Sequence, residues 1–232
     1  MDRMNETQKP KRSAWFWILT GCGGFIVLFI IGIALLWHFG TKKLAATIEE
    51  NAKNPALRAE KAKRMLGAAR LPDGYYPVSG TLELPILTHV RLYDRAPDDK
   101  GFVTRFTNRG FIFTETLYTE SSKEREAFFT GAPSAPELFD NIGIKLRARE
   151  NVSSGSIEIG KEKIRYRTVR GRIEEGANEA EEPMVLMWID CPGEKRERWA
   201  VWFQPDVPDE AAIRTFMSQF STSAFCFLPS AF

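Results

Sequence analysis

Histidine is almost missing from this chain. There are two in 232 residues, His38 and His89. A Ser-His-Asp or Cys-His arrangement would have to be built on His89, because His38 lies at the edge of an apolar run; no GxSxG elbow accompanies it. If Val90 and Leu92 face inward, His89 and Arg91 face the other way, an ordinary surface or groove position. Cysteine is equally scarce, three in all, too few for a disulfide scaffold. No CxxC, HExxH or His/Cys cluster appears, which excludes the usual zinc frameworks. There is no Walker loop and no GxGxxG, so no nucleotide cofactor is expected, nor any other cofactor. Asp98-Asp99 and the acidic run 174–182 lack the EF-hand spacing. An excess of charge of one sign is also missing: 32 Lys+Arg stand against 30 Asp+Glu, a net of +2. A nucleic-acid binder would usually be strongly basic, so no nucleic-acid partner is expected.

What the chain does have is one long uncharged stretch, Ser13 to Gly40, with no Asp, Glu, Lys or Arg. A spanning helix needs about 20 mostly apolar residues. Trp15 and Trp17 at one end and Trp37 at the other match the aromatic belts of the two interfaces. The stretch is therefore predicted as a transmembrane helix over 13–40, with the lipid bilayer as its partner. Leu19-Thr20-Gly21-Cys22 matches a lipoprotein box, but the apolar run continues past Cys22 where a lipidated terminus would turn polar. Lys9, Lys11 and Arg12 precede the stretch, and Lys42 and Lys43 follow it. That balance predicts a single-pass signal anchor in the cell (inner) membrane, N-terminus cytoplasmic and C-terminal domain extracytoplasmic.

Around this element the chain divides into four parts: a polar tail over 1–12, the helix over 13–40, a juxtamembrane helical linker over 41–70, and a globular domain over 71–232. In the linker, Asn54-Pro55 is a helix start and ALRAEKAKRMLGAA is rich in helix formers. The linker reads as a solvated spacer, its basic residues alternatively resting on anionic headgroups. Leu71-Pro72-Asp73-Gly74 breaks it with turn chemistry.

Strand signals dominate afterwards. Thr81 to Tyr93 alternates around a break at Pro85. Gly101–Thr107 and Gly110–Tyr118 read as a hairpin about Asn108-Arg109-Gly110. Ser122–Phe129 and Pro136–Ile142 read as short helices, and Ser156–Ile173 as a hairpin turning near Gly160. Residues 174–182 read as an exposed acidic loop. Met184 to Cys191 is apolar on both faces, the mark of a covered central strand, with Trp199–Gln204 as its partner. Asp209 caps a last helix with Ala212, Ile213, Phe216, Met217 and Phe220 at helical spacing. The predicted class is α+β: a mainly antiparallel sheet of about six to eight strands, one face covered by helices, with the C-terminal helix packed on it.

Several groups are candidates for function. Lys145, Arg147 and Arg149 alternate along one strand, and Lys161, Lys163, Arg165 and Arg167 along another. A period of two puts each set on one face. If the strands adjoin, a cationic face results that suits an anionic lipid, a polysaccharide or an acidic protein. Glu115, Glu158, Asp190 and Asp206 lie in or beside strands, and a carboxylate hydrolase would need two of them across a cleft. Cys191 and Cys226 are an even pair outside the apolar stretch and suit one bridge in an oxidising compartment; two separate buried thiols are the other reading.

The order of a spanning helix, LPDGY, a meander, SIEIGKEKIRYRTVRG, an apolar strand ending in Cys191, and PDEAAIRTFMSQFSTSAFC resembles a group of uncharacterised bacterial membrane-anchored or exported proteins. The resemblance covers most of residues 71–228 and implies location without implying chemistry. The meander with its late helix also resembles the PsbP-like fold, an analogy of fold alone. The function read from the sequence is a membrane-anchored extracytoplasmic domain that binds or assists and is more an accessory than an enzyme. An envelope hydrolase using paired carboxylates is the alternative, and a carrier of an apolar ligand, with a Phe- and Trp-lined cavity, is the third.

Overall fold

The computed structural model describes residues 49–50, 53–84, 86–103, 108–117, 122–131, 144–160, 162–175, 178–191 and 196–220. The predicted spanning helix, with Trp15, Trp17 and Trp37, lies outside them, as do Lys161, Cys226 and the helix expected at 136–142. Among the described residues no helix is long and apolar enough to cross a membrane.

The described chain is an α+β domain. Helix α1 (Pro55–Leu66) leads into strands β1 (Tyr76–Pro77), β2 (Leu82–Leu84), β3 (Leu87–Tyr93) and β4 (Gly110–Leu117). Helix α2 (Ser122–Phe129) follows, then β5 (Ile144–Ile159), β6 (Glu162–Glu175), β7 (Asn178–Asp190), β8 (Arg196–Phe203) and helix α3 (Glu210–Met217). The strands form one 8-stranded antiparallel sheet in the order β1-β3-β4-β8-β7-β6-β5, with β2 also pairing β3.

Local chemistry explains the element ends. The Asn54 side chain accepts from Leu57 N at 3.0 Å, Pro follows at the first position, and Gly67 closes α1 in the left-handed conformation at φ 59°. Asp209 caps α3 by accepting from Ala212 N at 2.7 Å. Strands β2 and β3 pair as an antiparallel hairpin, Leu84 opposite Leu87; Pro85 itself lies outside the described residues. The turn after Ile159 is a hairpin too, with Ile159 opposite Glu162 and Gly160 at φ 65°.

The sheet carries a core on each face, where helices on one face were expected. On the first face Val90, Leu92, Phe111, Phe113, Ile157, Ile164, Val185, Met187, Ala200 and Trp202 meet Ala62, Met65 and Leu66 of α1 and Ile213, Phe216 and Met217 of α3. Trp202 stacks on Phe216 at 4.2 Å, and Phe111 stacks on Phe220 at 5.0 Å. On the second face Tyr93, Ile112, Val169, Ile173, Met184, Leu186, Trp199, Val201 and Phe203 pack with Phe128 of α2. Alternate side chains leave a strand on opposite sides, so the continuously apolar runs Phe111–Phe113 of β4, Met184–Ile189 of β7 and Trp199–Phe203 of β8 must be covered twice.

Three further expectations change. Helix α1 is no spacer: Ala62 and Leu66 are fully buried against the sheet, and Arg58 Nε donates to Pro77 O at 3.2 Å. Its apolar side buries enough surface to hold it there. Strand β4 pairs with β3 on one edge and β8 on the other, so no edge is left for the hairpin partner expected at 101–107. Residues 174–182 are largely strand: β6 runs to Glu175 and β7 begins at Asn178, with Glu174 opposite Glu179 and Arg172 opposite Glu181.

Tyr75 ties the turn motif LPDGY to the core. Tyr75 N donates to Pro72 O across a turn in which Gly74 sits at φ 79°. The ring then lies 5.7 Å from Phe216, and the hydroxyl accepts from Trp202 Nε1 at 3.0 Å.

Candidate functional site

The basic residues do not form one face. Antiparallel partners point to the same side of a sheet. Lys145 is opposite Glu174 and Arg147 opposite Arg172, which puts this set on the face of Ile164 and Tyr166. Lys163, Arg165 and Arg167 leave the other face of β6, in the row of Val169 and Ile173. The strands adjoin as expected, yet the register pairs odd-numbered residues of β5 with even-numbered residues of β6, on both sides of the two bulges, and so sends the two sets to opposite sides.

Each set is also engaged. Arg147 and Arg172 share Glu174 at 3.9 and 3.4 Å, and Arg170 lies 4.0 Å from Glu150. Arg167 is buried; its Nη1 donates to Phe128 O at 2.6 Å and its guanidinium covers the Phe128 ring at 4.5 Å. Arg165 reaches Asp190 at 3.1 Å and lies over Trp188 at 4.2 Å. Lys145, Arg147, Arg149 and Lys163 are exposed. Helix α2 buries Arg167 beneath Phe128, while Arg165, half-buried, is held by Asp190 and Trp188.

The carboxylates are kept apart. Glu115 is fully buried on the first face and bonded by Arg196 and by Arg198 Nε, the latter at 2.7 Å. Asp190 leaves the second face, and Glu158 shares that face with Lys163 between the two. Asp206 is exposed beyond the end of β8. The fold brings no two of these four into one cleft. Among the described residues no group of three or more His, Cys, Asp or Glu is placed to hold a metal ion.

His89 departs from its sequence reading. It is buried, because the face opposite Val90 and Leu92 has its own core. Arg91 Nε donates to Nε2, so Nδ1 carries the proton and donates to Thr114 Oγ1 at 2.8 Å. Burial first, and the Arg91 charge second, hold the imidazole well below its ordinary range. A neutral ring closed between Thr114 and Arg91 is a structural link between β3 and β4.

Cys191, half-buried just after β7, is disulfide-bonded; its partner lies outside the described residues. The sequence offers only Cys22 and Cys226 for that role.

No protein-family model matches the chain, and no curated protein matches it in sequence.

Proposed function

We infer that this chain is a single-pass membrane protein of the cell envelope whose α+β domain lies outside the cytoplasm and binds or assists without catalysing. The observation that carries the reading is the disulfide at Cys191. Disulfides persist in oxidising compartments, and an apolar run of the length of 13–40 ahead of a folded domain supplies the route there. Cys226 is the partner of Cys191, since Cys22 sits inside the apolar run. The engaged state of the polar groups supports the non-catalytic part: His89, Glu115 and Asp190 each hold an internal partner.

The test is thiol trapping on membranes prepared from cells expressing the full chain. Carbonate extraction should leave the chain in the membrane pellet. Maleimide without reductant should leave Cys191 and Cys226 unlabelled, and both should label after reduction. Extraction into the supernatant, or labelling of Cys191 without reductant, overturns the reading.

A further inference from the structure

One end of the sheet gathers exposed apolar side chains beside the point where the chain enters the domain. Strand β3 ends there at Tyr93 and β4 begins at Gly110, opposite Phe203, the end of β8. The two connections at this end, 94–109 and 204–209, and strand β1 beside Tyr93 carry three of the exposed large apolar side chains: Phe102 at 55%, Tyr76 at 44% and Val207 at 37%. Phe102 stands on an ordered turn. Asp98 Oδ1 accepts from Lys100 N and Phe102 N, both at 2.9 Å, and Asp98 N donates to Phe102 O at 2.8 Å. Gly101 turns at φ 78°, and its carbonyl accepts from Ser79 N at 2.8 Å, which pins the turn to the β1–β2 connection. These bonds hold an exposed phenylalanine outward, with exposed Lys100 and Asp99 beside it.

Helix α1 begins at the same end. Arg58, in its first turn, bonds Pro77, next to Tyr76. Arg64, in its last, pairs with Glu83, which is opposite Thr88 near the other end of β3. The chain therefore reaches the domain at the end that bears Phe102. Residues 41–54, which separate the apolar stretch from α1, span at most about 50 Å even when fully extended.

We propose that this end of the sheet rests on the bilayer, with Phe102, Tyr76 and Val207 entering the headgroup region. The proposal rests on the membrane-anchored reading above and adds the orientation of the domain. Aromatic side chains favour that zone, and burial of apolar area drives the contact. Lys100 and Arg95 are offset by Asp98 and Asp99, all four exposed, so the contact is apolar in origin and depends little on anionic lipid or on salt.

The test uses the full chain in nanodiscs containing lipids spin-labelled near the headgroup. A fluorescent amino acid is placed at 102 in one sample and in another at 117, where Leu117 is 47% exposed at the opposite end of β4. The expected result is several-fold stronger quenching at 102 than at 117, unchanged between neutral and anionic discs. A probe at 207 should be quenched as well, and should lose that quenching in the Tyr76→Asp/Phe102→Asp variant. Equal quenching at 102 and 117, or more at 117, overturns the proposal and leaves the anchored reading standing. A chain that fails to co-elute with the discs overturns both.

Discussion

Glu115 is a carboxylate with no exposure, placed between two arginines, Arg196 and Arg198, the second itself 1% exposed. Removing one member of such a group leaves the other charges buried without their counter-ion, which typically costs about 3–5 kcal/mol. Glu115→Ala is therefore expected to lower stability by about that amount in urea unfolding; a loss under about 1 kcal/mol would refute the buried ion group. The same residue was a catalytic candidate in the sequence because a charge in a strand is conspicuous. Arg196 and Arg198, two apart, are bound to share a face, but only the β4–β8 register, more than 80 residues apart in sequence, shows that they meet Glu115. His89 is a second case. Above about pH 6.5 the imidazole is neutral in folded and unfolded chains alike. Below it the unfolded chain takes up a proton that the buried ring resists, so stability falls as pH drops from about 6.5 towards the depressed folded value. Subtracting the stability of His89→Gln from that of the native chain should give a difference that is flat above about pH 6.5 and falls below it. A flat difference down to pH 5 would show that the ring charges freely.

At the scale of elements, local signals and the pairings of sequence neighbours, β5 with β6 and β7 with β8, were legible, and the longer-range pairings were not. The caps at Asn54 and Asp209, the turn at Gly160 and the central position of β7 follow from residues near in sequence. The extension of β6 and β7 through 174–182 did not, because glutamate-rich composition resembles a loop until the hairpin register is known. Nor did the docking of α2, which depends on Phe128 and Phe129 meeting Arg167 and Trp188 across the sheet. That docking separates two substitutions on one strand. Arg167→Glu replaces a buried donor to Phe128 O with a buried carboxylate and should cost several kcal/mol, about 3 or more. Lys163→Glu is exposed and should change stability by less than about 0.5 kcal/mol. Comparable melting shifts for the two would remove α2 from β6. The crossing of β3, β4 and β8 offers another check. A Cβ on Gly110 would lie 2.2 Å from Phe203 Cζ and 2.8 Å from Tyr93 Cδ1, both rings buried. Gly110→Ala should cost about 1–3 kcal/mol through overpacking, readable as a lowered melting temperature. An unchanged melting temperature would mean that these rings do not meet there.

At the scale of the whole molecule, the class was legible and the layering was not. Strand count and a late amphipathic helix follow from periodicity, and the sheet has 8 strands with α3 on it. That helices and rings cover both faces was hidden, because a strand apolar on one side and polar on the other looks half-exposed even when its polar residues, such as His89, Thr114 and Arg167, are buried and bonded. The double cover also decides what the candidate sites can do. It consumes Arg165 and Arg167, separates Asp190 from Glu115, and fills the first face with stacked rings at Trp202, Phe216, Phe111 and Phe220 where a carrier would need a cavity. What remains is a domain read as tethered, closed by a disulfide at Cys191, and presenting its surface rather than a cleft. Its location is the claim on which the rest depends. The measurement that tests it most directly is protease digestion of intact spheroplasts expressing the full chain, followed by a non-reducing gel of the same sample. Digestion of the C-terminal domain from outside, with a mobility shift on reduction that Cys191→Ser abolishes, is the expected result. A domain protected until the membrane is broken, with no shift on reduction, would contradict the account.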